Sequence, residues 1–525
     1  MAGYLGYTVG KLYDWAAYHF SSRIALAKGE QRLTYREMRE EANQLGHALL
    51  GMGLRKGDRV GTLFPNSIES ALLDYGLAKA GLTQVILHEG IVAPADNAYM
   101  ANDSEARVVI YPSRFAPHIE QMRPQLKTVK HFLCVSEGEG IPSHSKDFYQ
   151  SISSQPITDP PVEVSEDDVV SIYYTGGTTG VPKGCVHASR NRVYTYLTAL
   201  AEIGLGAKHT FLHVAPMSHA SNVFMLPVCL RGGTQVISDA FNPELFLQIV
   251  AKEKVTATFI VPTMLYRILD FPRLKEHDFS SLNTIIYGAS PIGPERLRQA
   301  IAAFGPVFVQ VFGQTEAPMF ITTLGKEDHS LSPGDEEKLS SCGKPTLMCQ
   351  LRLVDDEDKD VPPEAEGEIA VRTPNMMNGY LNKPKETAET MKNGWLHTGD
   401  IGRRDKDGFV YIMDRKKDMI ISGGWNVYPK EIEATLHEHP AVADVAVIGV
   451  PDPSWGEAVK AIVVLHAGKT ATAEELIQFC KGRKGSIRTP KTVDFVDHIP
   501  LTSVGKHDKK ALRGSYWKGE RRRVH

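Results

Sequence analysis

The stretch Ser171–Ala188, S-I-Y-Y-T-G-G-T-T-G-V-P-K-G-C-V-H-A, constrains this chain more than any other. Its lead-in, Val169 to Tyr174, is apolar, β-branched and aromatic, and reads as a buried strand. The strand breaks into Thr175-Gly176-Gly177-Thr178-Thr179-Gly180, where glycines permit positive φ and close backbone approach. Successive N–H groups in such a loop form an anion-binding concavity, and the threonine hydroxyls add donors. Lys183 follows, and a positive charge beside that cradle points to phosphate. The loop is not a Walker A motif, because Pro182 precedes the lysine and Gly184 follows it, where that motif has Gly before and Ser or Thr after. Taken alone, the stretch reads equally as a flexible turn beside a solvated lysine.

At 525 residues the chain exceeds one ordinary domain, which predicts a large core with a smaller unit. A net charge of −3 argues against a dedicated nucleic-acid binder. The cysteines, Cys134, Cys185, Cys229, Cys342, Cys349 and Cys480, are far apart and form no C-x-x-C, so neither a disulfide framework nor a zinc site is expected. Met1 to Phe20 lacks a basic stretch followed by an apolar one, and no run approaches the roughly 18 apolar residues of a membrane span. The expectation is a cytoplasmic protein with no transmembrane segment.

From Asp58 onward, short apolar runs alternate with longer amphipathic ones. Arg59–Leu63, Thr83–Leu87, Arg107–Tyr111 and His131–Val135 read as strands, and Ile68–Ala80, Pro94–Asn102 and Ala116–Leu126 as helices. After the Gly/Thr loop, strands are predicted at Thr210–Ala215, Thr234–Ile237, Thr256–Ile260, Thr284–Tyr287 and Val307–Phe312. Helices are predicted at Asn222–Leu230, Pro243–Lys252, Pro262–Leu269 and Pro294–Phe304, three of them opened by proline. Such alternation implies an α/β fold of mostly parallel sheets covered by helices, with ligands at the strands' carboxyl ends. Past Pro333 the pattern changes to closer-spaced strands, a small antiparallel unit. The charge cluster Asp414-Arg415-Lys416-Lys417-Asp418 follows, and then a smaller α+β domain. The cluster reads as a solvated turn or as a joint.

Four more stretches carry chemistry-bearing residues: Val311-Phe312-Gly313-Gln314-Thr315-Glu316, Gly394 to Asp400, Ser422-Gly423-Gly424-Trp425-Asn426, and Pro500 to Lys506. Each alone is an ordinary turn, glycine pair or surface lysine. Together and in this order, from about residue 10 to 515, they resemble the adenylate-forming superfamily of acyl- and aryl-CoA synthetases, luciferase and peptide-synthetase adenylation domains. The segment Gly423 to Glu433 looks most like acyl-CoA synthetases.

The resemblance implies an ATP-dependent carboxylic acid:CoA ligase working through an acyl-adenylate, with ATP, Mg²⁺ and coenzyme A as cofactors. It implies an adenylation domain over residues 1–413, a hinge at 414–418 and a mobile C-terminal domain over 419–525. Thr175, Gly176, Gly177, Thr178, Thr179 and Lys183 would wrap the ATP phosphates. Gly288, Ala289 and Ser290 would lie along the adenine and the activated carboxylate, beside Phe312, Gly313 and Gln314. Thr315 would contact the nucleotide phosphate, and Glu316 would hold the metal. Asp400 would accept bonds from the ribose hydroxyls, with Arg415 close by. Lys417 would be the hinge, and Lys506 the adenylation lysine. Gly423, Gly424 and Trp425 would border the pantetheine tunnel, where Trp425 is bulky for the family. His219 would stand at the mouth of the acid pocket, which Asn222, Val223, Phe224, Met225, Tyr287, Val311 and Met319 would line. Gly313 stands where acetate-specific relatives place tryptophan, so the pocket is expected to admit more than two carbons. Its lining predicts a medium-sized, mostly apolar acid.

Two alternatives remain. The acyl group could pass to a carrier protein or another enzyme instead of CoA. The chain could also be a nucleotide-binding protein that has lost chemistry, against which stands the joint presence of Lys183, Glu316, Asp400 and Lys506.

Overall fold

The computed structural model describes residues 6–88, 92–138, 140–175, 182–206, 209–290, 292–332, 335, 337–501 and 507–517. The chain divides into two compact units, one of Met1–Leu351 with Val371–Leu396, the other of Arg352–Ala370 with His397–His525.

The first unit holds two large sheets. In the eight-stranded one, Val169–Thr175 runs parallel to Thr83–Ile86, which is followed outward by Arg59–Thr62, Val108–Pro112 and His131–Val135. The strand Lys183–Ala188 folds back antiparallel on Val169–Thr175. In the nine-stranded sheet, Phe308–Gln314, Thr284–Gly288, Ala257–Ile260, Thr210–His213 and Thr234–Ile237 are parallel, and Ala317–Leu324 closes one side antiparallel. These strands are buried on both faces, which is why they read as unbroken apolar runs. Helices Pro243–Glu253, Pro262–Leu269 and Pro294–Phe304 cover the second sheet, each opened by proline at its first turn.

The alternation predicted from Asp58 onward is present, with ends shifted by one or two residues at most strands. The predicted helix Asn222–Leu230 is two pieces, a 3₁₀ turn Ala220–Phe224 and a helix Met225–Leu230, because Pro227 has no N–H to continue a longer one. Ahead of Asp58 the chain also folds. A helix Val9–His19 and a seventeen-residue helix Tyr35–Gly51 are both capped by threonine, the second through a Thr34–Glu37 capping box.

In the second unit, Gln350–Val354, Gly367–Arg372, Trp395–Arg404 and Val410–Arg415 pair in that order, the last two antiparallel. Further on, Val442–Asp452 and Gly456–Leu465 form a long antiparallel ribbon. Helices Pro429–His437 and Ala473–Lys484 pack their apolar faces on it, around Ile432, Leu436, Val445, Val459 and Leu476. The parallel strand Thr492–Phe495 adds to the ribbon's edge. Among the described residues no helix is long and apolar enough to cross a membrane.

Candidate active site

The ladder of the first sheet ends by pairing Thr175 with Lys183. The two predicted phosphate contacts are therefore cross-strand neighbours at the root of the Gly/Thr loop. Gly176, Gly177, Thr178 and Thr179 lie outside the described residues, as does Lys506. In the second sheet, Gln314 pairs with Ala317, which leaves Thr315 and Glu316 as the two residues of a hairpin turn at a strand's carboxyl end.

These two strand ends are tied together by residues the sequence reading missed. His187 Nε2 lies 2.9 Å from the Thr315 carbonyl. Burial, with the nearby Arg192 charge, pushes the His187 imidazole down to about 3. The ring is therefore neutral, and its Nε2–H donates to that carbonyl. The Tyr380 hydroxyl donates to Glu316 Oε1 at 2.6 Å, and the Met377 N–H donates to the Glu316 carbonyl at 2.8 Å. Burial and the Glu316 carboxylate push the Tyr380 phenol far up, so it stays a donor. The Lys183 ammonium stands 4.8 Å from the centre of the Tyr380 ring. Lys183 and Glu316, 133 positions apart in the chain, thus share one tyrosine. The only local signal for it was an Asn-Gly-Tyr run, which reads as a turn.

Among the described residues no group of three or more His, Cys, Asp or Glu side chains could hold a metal ion. A lone carboxylate such as that of Glu316 is chemically suited to a hard cation held mainly by phosphate oxygens.

The predicted acid-pocket residues are only partly brought together. Val223, Phe224 and Val311 are buried in one cluster with Phe259, Ile286 and Phe320, and Met319 packs against it. Tyr287 is not with them. Strand alternation turns it to the other face, where it packs with Phe308 and bonds Gln310 and His329. Met225 belongs to a third cluster, with Tyr13, Tyr75 and Tyr196. Phe312 and Gln314 are half-buried on the strand that carries Val311. Gly313 does not leave open space. A Cβ there would strike the backbone of Met319 and Ala317, so glycine is required by the close approach of the hairpin strands. His219 is exposed, and its ring lies tilted by 30° against that of the buried His88, with ring centres 4.7 Å apart. Gly288 closes its strand against the Val311 carbonyl, where a side chain would collide. Ala289 takes φ +67, a conformation few residues but glycine adopt, and Ser290 follows it.

In the second unit, Asp400 does not follow a turn as its sequence suggested. It sits inside the ten-residue strand Trp395–Arg404, 2% exposed, directly opposite Arg415. Arg415 Nε bonds Asp400 Oδ1 at 2.9 Å. The charge cluster that contains Arg415 is not a solvated turn. Asp414 accepts the Lys430 N–H, Lys416 pairs with Asp356 and Glu368, and Asp418 pairs with Arg513. Burial pushes the Lys417 ammonium below its ordinary range. Gly423 and Gly424 have φ +59 and +81, and a side chain at Gly423 would strike the Trp455 ring. Trp425 beside them is 60% exposed.

The structure thus brings a lysine paired across strands with Thr175 and a hairpin-tip carboxylate onto one tyrosine. Residues 13–381 match the AMP-binding enzyme family, and residues 431–506 match the AMP-binding enzyme C-terminal domain. The chain belongs to this family, within the adenylate-forming superfamily. It is 40% identical to a medium/long-chain-fatty-acid–CoA ligase, FadD8, of Mycobacterium tuberculosis, over 98% of this chain and 91% of that one. It is 36% identical to a feruloyl-CoA synthase of an Amycolatopsis species, over 93% and 95% respectively. Its fold matches the anthranilate CoA ligase AuaEII, solved with anthranoyl-AMP, at TM-score 0.88 and 27% identity, covering 98% of each chain.

Proposed function

We infer that the chain is an AMP-forming acid–thiol ligase, which joins a carboxylic acid to coenzyme A through an acyl-adenylate at the expense of ATP. The observation that carries this reading is the set of Lys183, Tyr380 and Glu316, gathered beside the strand end Thr175 and the hairpin turn Thr315-Glu316. A carboxylate is a poor electrophile because its charge is delocalised, and its oxygen is a poor leaving group. Transfer of AMP to it creates a good leaving group but brings two anions together. Cations and oriented donors must therefore surround the phosphates.

Lys183 and the loop N–H groups supply those donors at the phosphates. Glu316 is the residue for Mg²⁺, which when bound neutralises phosphate charge. Tyr380, by holding one carboxylate oxygen, leaves the other to face a cation. Asp400 accepts from the ribose, and Lys506 bridges the acid's carboxylate and the α-phosphate in the adenylating arrangement. The second step, attack by a thiol, needs that space cleared, so the segment 414–418, with Lys417, acts as a hinge. His219 stands at the acid's entry, and Val223, Phe224, Val311 and Met319 favour a medium-sized, largely apolar acid. The six cysteines are buried thiols and none is in a disulfide among the described residues, in keeping with a reducing, cytoplasmic location.

The test is acid-dependent ATP–pyrophosphate exchange over a panel of carboxylic acids, followed by a thioester assay with CoA. Exchange and thioester with the same acid is the expected result. Exchange without thioester would transfer the second step to a carrier protein or another acceptor, and neither would sink the reading. Lys506→Ala should lower adenylation by roughly 1,000-fold if the ~4 kcal/mol of one charge pair is realised only in the transition state. The same variant given synthetic acyl-adenylate should still form thioester.

A further inference from the structure

His219 sits on a segment that the second sheet carries and the first sheet holds. The strand Thr210–His213 of the second sheet leads into Ala215-Pro216-Met217-Ser218-His219, where the His219 N–H closes a turn on the Pro216 carbonyl at 3.1 Å. From residue 214 to 219 the segment belongs to no strand or helix. Its backbone groups therefore need partners from elsewhere.

Asn66 supplies them. It follows the strand Arg59–Thr62 of the first sheet and is 4% exposed. Its Nδ2 donates to the Ala215 and Ser238 carbonyls, both at 3.0 Å, and its Oδ1 accepts the Met217 N–H at 2.6 Å. The His213 carbonyl is farther off, at 3.5 Å, and already accepts the Ser238 N–H at 3.0 Å. Both amide donors and the amide oxygen are thus in use, on three backbone groups that lie beyond two strand ends of the second sheet.

The asparagine is itself anchored. Ser67, next to it, caps the helix Ile68–Lys79 by accepting the Ser70 N–H. Lys28 donates to the Asn66 carbonyl at 3.4 Å and pairs with Asp239, beside Ser238, at 3.2 Å. Met217 is buried in one cluster with Ile68 and Leu72 of that helix. At the far end of the segment the His219 ring lies against His88, which follows the strand Thr83–Ile86 of the first sheet. Few side chains could replace the amide. Aspartate has no N–H for the two carbonyls, and leucine would leave three backbone groups unmet.

We propose that Asn66 is a positioning residue for His219. By fixing the segment from Ala215 to Met217 it sets where the histidine stands at the acid's entry, and so how well the enzyme takes up its acid. The inference rests on the reading above that His219 stands at that entry.

The test is a double-mutant cycle on the full-length enzyme, with Asn66→Ala, His219→Ala and the two together. Octanoate, dodecanoate, benzoate and cinnamate serve as probe acids, and pyrophosphate release gives kcat/KM for the acid and KM for ATP. Asn66→Ala should lower kcat/KM for the acid by about 10-fold or more while KM for ATP stays within about 2-fold, since a small misplacement transmitted from a distance is felt at the group it displaces. In the His219→Ala background the same change should cost less than about 2-fold, because coupled residues do not add. If Asn66→Ala does not fold, Asn66→Ser carries the same measurement. Equal losses in both backgrounds, or a KM for ATP that rises with that for the acid, would make Asn66 a packing residue and overturn the proposal. An effect of His219→Ala with none from Asn66→Ala defeats the positioning alone. If His219→Ala leaves acid kinetics unchanged, the reading of His219 fails and this inference with it.

Discussion

Two carboxylates, one in each unit, show how a neighbour sets the work of a side chain. Glu316 sits half-buried at a hairpin tip and is held by a neutral phenol. Its charge is oriented but not cancelled, so it remains available to a cation. Asp400 is buried within a strand and bonded by a guanidinium at 2.9 Å. Its charge is already met, and what it retains is acceptor capacity suited to neutral hydroxyls. Under the proposed function, the partner the fold supplies would fit the same functional group to a cation in one case and to a hydroxyl in the other.

The largest effect is expected at the uncancelled charge. Glu316→Gln keeps the shape and the Tyr380 contact but removes the attraction for a cation, worth ~4 kcal/mol at close range, so adenylation should fall by about 1,000-fold. The Mg²⁺ needed for half-maximal ATP binding should rise with it. A variant with unaltered Mg²⁺ dependence would show that Glu316 holds no metal.

Asp400→Asn should behave differently. Loss of charge-assisted bonds to hydroxyls, ~1.5–3 kcal/mol, should raise the KM for ATP by roughly 10- to 100-fold while Mg²⁺ dependence stays as in the parent. If Mg²⁺ dependence moves here and not at Glu316, the two roles are reversed.

Tyr380→Phe sharpens the comparison further, since it removes only the hydroxyl and keeps the ring beneath Lys183. Orientation lost from a metal-binding carboxylate by such a change weakens the metal by about 10-fold or more. Isothermal titration of ATP with and without Mg²⁺ separates this from a phosphate effect, because binding without the metal should be little changed. Equal loss in both conditions would make Tyr380 a packing residue.

The smallest effect concerns pH. In the first unit, burial pushes His213 and His329 down to about 4, and burial with the Arg192 charge pushes His187 down to about 3. These rings are neutral in the fold and take up protons when unfolded below about 6.5. Stability is therefore fully present above that pH and is lost as pH falls toward the folded values, by up to about 1.4 kcal/mol per pH unit for each ring. Urea midpoints should drop between pH 7 and pH 5, and His213→Gln should flatten that slope. A flat profile in the parent protein would show that the rings do not titrate in this way.

What the sequence determined by itself is local. Alternating apolar runs and proline-opened helices place the strands of both parallel cores, because a strand buried on both faces and a helix start are written in adjacent residues. The Gly/Thr stretch, the lysine after it and the acid after the Val311 strand were legible as candidates for the same reason. The tertiary structure decided what depends on distant partners. Tyr380 stands on Glu316 because the short strand Gly379–Tyr380 pairs with Lys183–Ala188, a contact no local pattern encodes. Tyr287 belongs to another core cluster because the facing of a strand is settled by what packs against it. Arg192 carried no signal in the sequence pattern. Only the packing of Tyr173 and Tyr196 around it, within reach of the Asp74 charge, makes it a buried guanidinium, since burial is a property of neighbours and not of the residue.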